Sequence, residues 1–412
     1  MISPRVRRGL LAAASVLAIA SAAACGSGDT GSSASSSGSS SDSGSGSGSS
    51  GAFDATAIGI PTLDELYKGN ETSPPTDTPS VAKDKVIYYV NCGAGEVNCA
   101  NKAAAGKEAI ESLGWKYHVI DGNFGLAGAY QNAIRTAVAA GADAVIADAF
   151  PCSDVQQAAQ EAKDAGVIVI GADTIDCTAD GGPHLYSEMQ YTKEGPSPED
   201  HWKGFGKYSA DYLINITNGQ AKIINSPGQN TQQQLLNEGF LDEIKKCSGC
   251  EIVETVKWST ADFVPNGPWS SAFRSALTKH PEATAVYVPF DGMATVLGGS
   301  QAIREAGKKI CTGAPPFGAD CLAAVGGLGT SDTLDLIRQG QWTGVGSAYD
   351  GRWVAWGAVD TLVRAFAGQG AVPEGIGFTA IDSTHNLPDA KGSGYKSSLD
   401  FASAYKKAWG VG

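Results

Sequence analysis

The chain has 412 residues, 42% hydrophobic and 18% charged, with 43 acidic against 30 basic side chains and a formal net charge of −13 at pH 7. That acidity leaves no basic footprint for nucleic acid, and the length exceeds what one ordinary core organises. The first residues, MISPRVRRGLLAAASVLAIASAAAC, set Arg5, Arg7 and Arg8 before an apolar run, Gly9 to Ile19, too short to span a bilayer comfortably. Small residues follow, so residues 1–24 are expected to be a secretory signal peptide, and Ala22-Ala23-Ala24 fits an ordinary A-x-A cleavage site. Removing the three arginines leaves 27 basic against 43 acidic residues, a formal charge of −16.

Cys25 offers a second reading of the same segment. Small residues, then Cys25, then Gly26 resemble a lipoprotein signal, although Ala22 stands where lipoproteins usually have leucine. In that reading the thiol carries a diacylglycerol and becomes the mature N-terminus. From Gly26 to Gly51 the chain is almost only Ser and Gly, which cannot bury apolar surface and behaves as a flexible coil. Such a tether reaches about 25–30 Å root-mean-square, which a lipid-anchored domain needs to clear a membrane. The expectation is an extracytoplasmic protein, anchored to the outer face of the cell membrane by Cys25, with residues 25–52 as anchor and tether.

Eight cysteines remain, an even number suited to disulfides in an oxidising compartment. Their spacing suggests local pairs: Cys92–Cys99, Cys152–Cys177, Cys247–Cys250 and Cys311–Cys321. The CSGC at Cys247–Cys250 also fits a redox motif, but it follows the helical run QQQLLNEGFLDEIKK. A helix C-terminus disfavours a thiolate, so a structural disulfide is expected.

From Lys85 onward short β-rich runs alternate with segments of helical period. VIYYVN, KYHVID, DAVIADA and VIVIGAD are separated by NKAAAGKEAIESLG, LAGAYQNAIRTAVAAG and SDVQQAAQEAKDAG. Four strands with three helices between them predict a parallel sheet with crossover helices. After a polar stretch the alternation resumes: the helix HWKGFGKYSADYLINITNG, the strand AKIINS, a helix ending at Lys246, and the strand EIVETVKW. The helix GPWSSAFRSALTKHP, the strand TAVYVPFD and a single helix over MATVLGGSQAIREAG complete the second unit. The strands WTGVGSAY and IGFTAID, flanking the helix GRWVAWGAVDTLVRAFAG, read as chain returning to the first lobe. The fold expected is α/β: two doubly wound parallel-sheet lobes joined by a hinge, with ligands bound at the carboxyl ends of the strands. Residues 53–82 are an N-terminal extension. The N-terminal lobe takes 83–180 plus 349–382, and the C-terminal lobe 181–348 plus 383–412.

Here the ordered set LGWKYHVIDG, IRTAVAAGADAVIADA, EAKDAGVIVIGAD, NEGFLDEI, FRSALTKHPEATAVYVPFDGMATVLGGSQAIREAG and LIRQGQWTGVGSAYDG resembles the ribose/galactose-type (type I) periplasmic substrate-binding proteins of ABC importers. The closing DFASAYKKAWG resembles the tail of lipid-anchored Gram-positive members. The resemblance covers about Lys83 to Gly412. It implies a monomeric, non-enzymatic protein that closes on a small molecule, by family default a sugar, and delivers it to permease subunits. A sensor coupled to a membrane receptor uses the same fold.

In that family, ligand groups come from loops after strands. The resemblance points to Glu96 and Asn98 after the first strand and to Asp173 at the end of the fourth, where family members keep an aspartate for sugar hydroxyls. In SPGQNTQQQ, Gln234 stands where a ligand-binding arginine is usual. Phe263 matches a stacking aromatic, Asp291 lies beside the expected ligand or caps the following helix, and Phe290 stands where many sugar binders have asparagine. Leu328 and Ala348 replace a sugar-binding aspartate and a glutamine, leaving Tyr349 beside the hinge. A sugar site must satisfy each buried hydroxyl; this one loses several polar groups and gains rings, so an aromatic or partly apolar metabolite is the alternative ligand. The five histidines form no H-E-x-x-H pair, and there is no G-x-S-x-G elbow or Walker loop. No cofactor, metal or catalytic residue is expected; a secreted enzyme is the weakest reading.

Overall fold

A computed structural model describes residues 53–262 and 267–412. The leader, Cys25, the Ser/Gly tether and Phe263 lie outside the described residues. In the first lobe, β1 (Val86–Asn91), β2 (Lys116–Asp121), β3 (Ala144–Asp148), β4 (Ile168–Ala172) and β5 (Ser187–Glu188) form one parallel sheet in the order β2-β1-β3-β4-β5. Strand β3 is buried along its whole length, as expected for a sheet covered on both faces. The edge strand β2 is mostly exposed, and Lys116 and Asp121 at its ends discourage pairing with another chain. Helices α2 (Val97–Ser112), α3 (Ala129–Ala139) and α4 (Gln156–Asp164) connect the strands.

The second sheet contains β6 (Ala221–Asn225), β7 (Cys250–Thr255), β8 (Ala285–Tyr287), β9 (Ala323–Val325), β10 (Gly344–Ala348) and β11 (Thr379–Asp382), in the order β11-β10-β9-β8-β6-β7. All its pairings are parallel except β10 with β11. Around it run α5 (Pro198–Ile216), α6 (Thr231–Ile244), α7 (Pro268–Lys279) and α10 (Ser331–Arg338). Ser197 caps α5 by accepting from the Asp200 N–H at 3.1 Å, and Asn230 caps α6 through the Gln233 N–H at 2.9 Å. The two helices pack backbone to backbone. A Cβ added at Gly206 would lie 1.9 Å from the Leu236 carbonyl oxygen, and one at Gly239 2.0 Å from that of Lys203. Where one helix was expected over Met293–Gly307, two short ones form, α8 (Asp291–Ala294) and α9 (Gly299–Glu305). Gly298, at φ 76°, breaks the run in a conformation that glycine adopts without strain.

Three segments sit differently from the expected lobe boundaries. Strand β5 lies beyond residue 180 yet completes the first sheet, pairing with Ile170 and Gly171. Strand β11 belongs to the second sheet, antiparallel to β10, rather than to the first lobe. Helix α11 (Gly351–Phe366) packs on α2 and β4, and it holds the C-terminal helix α12 (Phe401–Trp409) with it. Stacked pairs Trp353–Phe401 and Trp356–Trp409, with centroids 5.3 and 5.4 Å apart, make that contact. Trp409 donates to Asp360 and Tyr405 to Glu374, so the buried acids of the first lobe fix the tail.

The extension spans both lobes. Phe53 N–H donates to Asn218, α1 (Leu63–Lys68) packs on β11 and α5, and the Ala82 carbonyl accepts from Trp115 of the first lobe at 2.7 Å. All four cysteine pairs anticipated from spacing are joined as disulfides. No helix among the described residues is long and apolar enough to cross a membrane.

Candidate functional site

A cavity of about 120 Å³ lies between the lobes. Its size is of the order of the ~150 Å³ apolar cavity that admits one benzene-sized molecule. The carboxyl ends of β1, β3 and β4 supply one wall, through Glu96, Lys102, Phe150 and Asp173 with Phe124 and Tyr130. The second lobe supplies Trp202, Gln233, Trp258, Phe290 and Asp291. Tyr349, at the β10–α11 crossing, closes the hinge side. Ala149 and Asp173, at the ends of β3 and β4, hold φ of 61° and 56°. Left-handed backbone at a non-glycine residue is stored strain that clusters at functional sites.

Lys102 is fully buried on α2 and faces two carboxylates, Asp148 Oδ1 at 2.5 Å and Asp173 Oδ2 at 3.1 Å. Tyr349 donates its hydroxyl to Asp173 Oδ2 at 2.5 Å, and the Asp173 N–H donates to Tyr191 at 3.0 Å. His201, from α5 of the second lobe, places Nε2 3.7 Å from Asp173 Oδ1 while its ring stacks on Tyr191 at 3.8 Å. Burial alone would raise the Asp173 carboxyl, but Lys102, His201 and Tyr349 hold it well below the carboxylate range. Burial pushes Asp148 up to about 6 against the pull of Lys102. Lys102 itself stays protonated, because the two aspartates outweigh its desolvation.

Glu96 caps α2 by accepting from the Cys99 N–H at 2.8 Å. Burial, and then Asp291 across the cleft, push its carboxyl up to about 7. Asp291 is buried and accepts from the Leu328 and Thr330 N–H groups at 2.7 and 3.2 Å, so it pins the loop after β9 while lining the cavity. Asn98 is buried at the same wall. Phe290 stands between Trp258 and Trp202, with centroids at 5.4 and 6.4 Å and planes at 75° and 61°.

Of the residues singled out in sequence, Glu96, Asn98, Asp173, Phe290, Asp291 and Tyr349 all line this cavity. Gln234 does not: it is exposed and donates to the Gln229 carbonyl. The helical turn carries its predecessors inward instead, and Gln232 and Gln233 are the buried pair. Tyr349, expected as apolar wall, acts through its hydroxyl as well. Lys102, Asp148 and His201 were missed. A lysine on the stripe Asn98–Lys102–Ala105–Ala109 of α2 was the available signal, since that stripe is otherwise small and buried.

Two triplets, Cys92–Glu96–Cys99 and Cys152–Asp176–Cys177, bring metal-type ligand atoms within 4.8 Å. Both cysteine pairs are disulfides, and Asp176 Oδ1 accepts from the Leu185 and Tyr186 N–H groups, so neither triplet offers a thiolate.

Two α/β lobes enclosing a polar and aromatic cavity define a two-lobed binding protein. The pattern of the periplasmic binding protein domain matches residues 100–370, and the chain belongs to that family, whose members bind solutes and are not enzymes. No curated protein matches the sequence. Among solved structures the fold is similar to the glucose-galactose binding protein of Geobacillus stearothermophilus, at 17% identity and TM-score 0.59, covering 74% of this chain and 100% of that one. It is also similar to the arabinose ABC transporter binding protein of Shewanella sp. ANA-3 bound to L-arabinofuranose, at 17% identity and TM-score 0.56, covering 79% and 95%. A solute-binding protein of Bacillus halodurans with bound myo-inositol gives 17% identity and TM-score 0.56, covering 73% and 95%.

Proposed function

We propose that this protein is an extracytoplasmic solute-binding lipoprotein, anchored through Cys25, that captures one small molecule between its lobes and delivers it to an ABC permease. The observation that carries the reading is the cavity between the lobes, to which both contribute polar and aromatic side chains. A solute that touches both walls favours the closed form, and that differential affinity is the switch. The ligands named for the similar structures, arabinofuranose and myo-inositol, support a small hydroxylated ring. The Trp258–Phe290–Trp202 wall supports the second reading, a ligand with an aromatic or apolar face.

A thermal-shift screen of sugars, polyols, nucleosides, amines and aromatic acids tests it. A true ligand at 100 times its dissociation constant adds about 2.7 kcal/mol of stability. Turnover of glycosides or esters by the purified protein would overturn the binding reading. Cys25→Ala should release the protein into the medium with ligand affinity unchanged; retention in the membrane fraction refutes the anchor.

A further inference from the structure

The charge inventory of the cavity is lopsided. Among the described residues that line it, Lys102 is the one basic side chain, against Glu96, Asp154, Asp173 and Asp291. Lys102 is spent internally, since it faces both Asp148 and Asp173 at ion-pair distance. Among the described residues no ion pair reaches Glu96 or Asp291, which lie on opposite lobes and accept only from backbone N–H groups, with Asp154 at the rim.

Acids alone are not a site, but two further observations point to a ligand. Gln233 is 6% exposed, and its Oε1 has no hydrogen-bond partner; Trp202 is 2% exposed, and its indole N–H has none. Both residues line the cavity. They offer an incoming molecule one acceptor and one donor, and each costs free energy while unmet. The second observation is the aromatic wall, where Phe290 stands steeply inclined to both Trp258 and Trp202. Three rings set at steep angles around one cavity are the kind of wall that receives an ammonium group.

Resting on the solute-binding reading, we infer that the bound solute is a hydroxylated amine: its ammonium sits against the Trp258–Phe290–Trp202 wall and is countered by Glu96, and its hydroxyl accepts from Trp202. The amine can also donate to Gln233 Oε1. A carboxylate-bearing or phosphorylated solute is excluded by the same inventory, since no uncommitted cation would meet it. A neutral sugar fills the hydroxyl part of the site and leaves the carboxylates facing each other.

Calorimetric titration of the full-length protein at about pH 8, where Glu96 is ionised, with matched pairs tests this. The pairs are choline against its neutral carbon isostere, N-methylglucamine against sorbitol, and tyramine against ethylphenol. The amine of a binding pair is expected to bind about tenfold or more tighter than its neutral partner. Glu96→Gln should remove most of that preference, bringing the amine and its neutral partner to within about twofold of each other. Glutamine keeps the size and the acceptor that caps α2, so the variant folds. Neutral members that bind as well as or better than the amines, or an amine preference intact in Glu96→Gln, would overturn the inference and leave the solute-binding reading standing. A full screen in which charged and neutral solutes alike produce no response removes both.

Discussion

Replacing Lys102 with methionine tests the buried knot behind the cavity. The side chain keeps most of its length, so packing is largely conserved and the change is chiefly one of charge. In the native protein the ammonium is fully buried and lies within 3.1 Å of carboxylates on Asp148 and Asp173. Its loss leaves two buried anions facing one another, and removing one partner of a buried ion pair costs about 3–5 kcal/mol. For a lobe of this size that is a fall in Tm of roughly 6–20 °C. The penalty must depend on pH. With the ammonium gone, both carboxyls titrate above their unfolded values, so the folded state binds more protons than the unfolded one. Stability of the variant then rises as pH falls. Denaturation in urea at about pH 8 and about pH 5 should therefore show the larger deficit at the higher pH. Adding Asp148→Asn to Lys102→Met should recover part of the loss, because one anion is replaced by a neutral isostere. A deficit under about 1 kcal/mol at pH 8, or one that grows on acidification, refutes the reasoning.

Three further outcomes are expected. Gly206→Ala drives a methyl to within 1.9 Å of the Leu236 carbonyl oxygen, so α5 and α6 must separate; a loss of about 1–3 kcal/mol should appear in urea titrations, and a neutral effect would mean the helices slide freely. Changing Cys152 and Cys177 together to serine opens a loop of 25 residues and should cost about 3.5 kcal/mol by the chain-entropy relation, read as a lowered urea midpoint against the oxidised wild type. Affinity for choline should fall as pH drops through about 7, because Glu96, flanked by Asp291 and Lys102, gains a proton and loses its charge; a flat profile between about pH 8 and about pH 6 in the wild type contradicts that.

Strands β1 to β4 and helices α2 to α4 of the first lobe were legible because each carries its own period and each crossover is short, whereas the two-residue β5 lay hidden in a polar stretch. Where local pattern stops deciding, the reading failed. Strand β9 spans only Ala323–Val325, between a disulfide loop and glycines, and has too few residues for a period to show. Strand β11 reads as a strand in sequence, but the sheet it joins is decided by the antiparallel pairing of Val345 with Ile381, which no local feature encodes. In the site, strand ends pointed to Asp173 because the fold puts ligands there. They could not reveal that its carboxylate is shared among Lys102, Tyr349 and His201, since those partners arrive from α2, the hinge and the other lobe. Gln234 was misplaced by one step along a helix, and one step is about 100°, enough to turn a side chain from cavity to solvent.

The knot and the cavity are linked through charge. Asp173 is the aspartate a hydroxylated ligand would be expected to engage; here Lys102 and Tyr349 hold its Oδ2, while its Oδ1 lies 3.7 Å from His201 Nε2 without a hydrogen bond. Its Oδ2 thus ties α2 to the hinge, and of the other charged groups of the cavity Glu96 and Asp291 accept from backbone N–H groups but have no ion-pair partner among the described residues. These two, on facing walls, are both acids, so bringing the lobes together without a guest presses like charges toward each other in a site of low dielectric. Burial and that repulsion are what push Glu96 up to about 7. A cation placed between the walls converts the repulsion into two attractions, and it does so only when the lobes are close. Its affinity for the closed form thus exceeds its affinity for the open one, which is the requirement for a ligand to drive closure. A neutral solute of equal size gains its contacts but leaves the repulsion in place, so it should close the same lobes less completely.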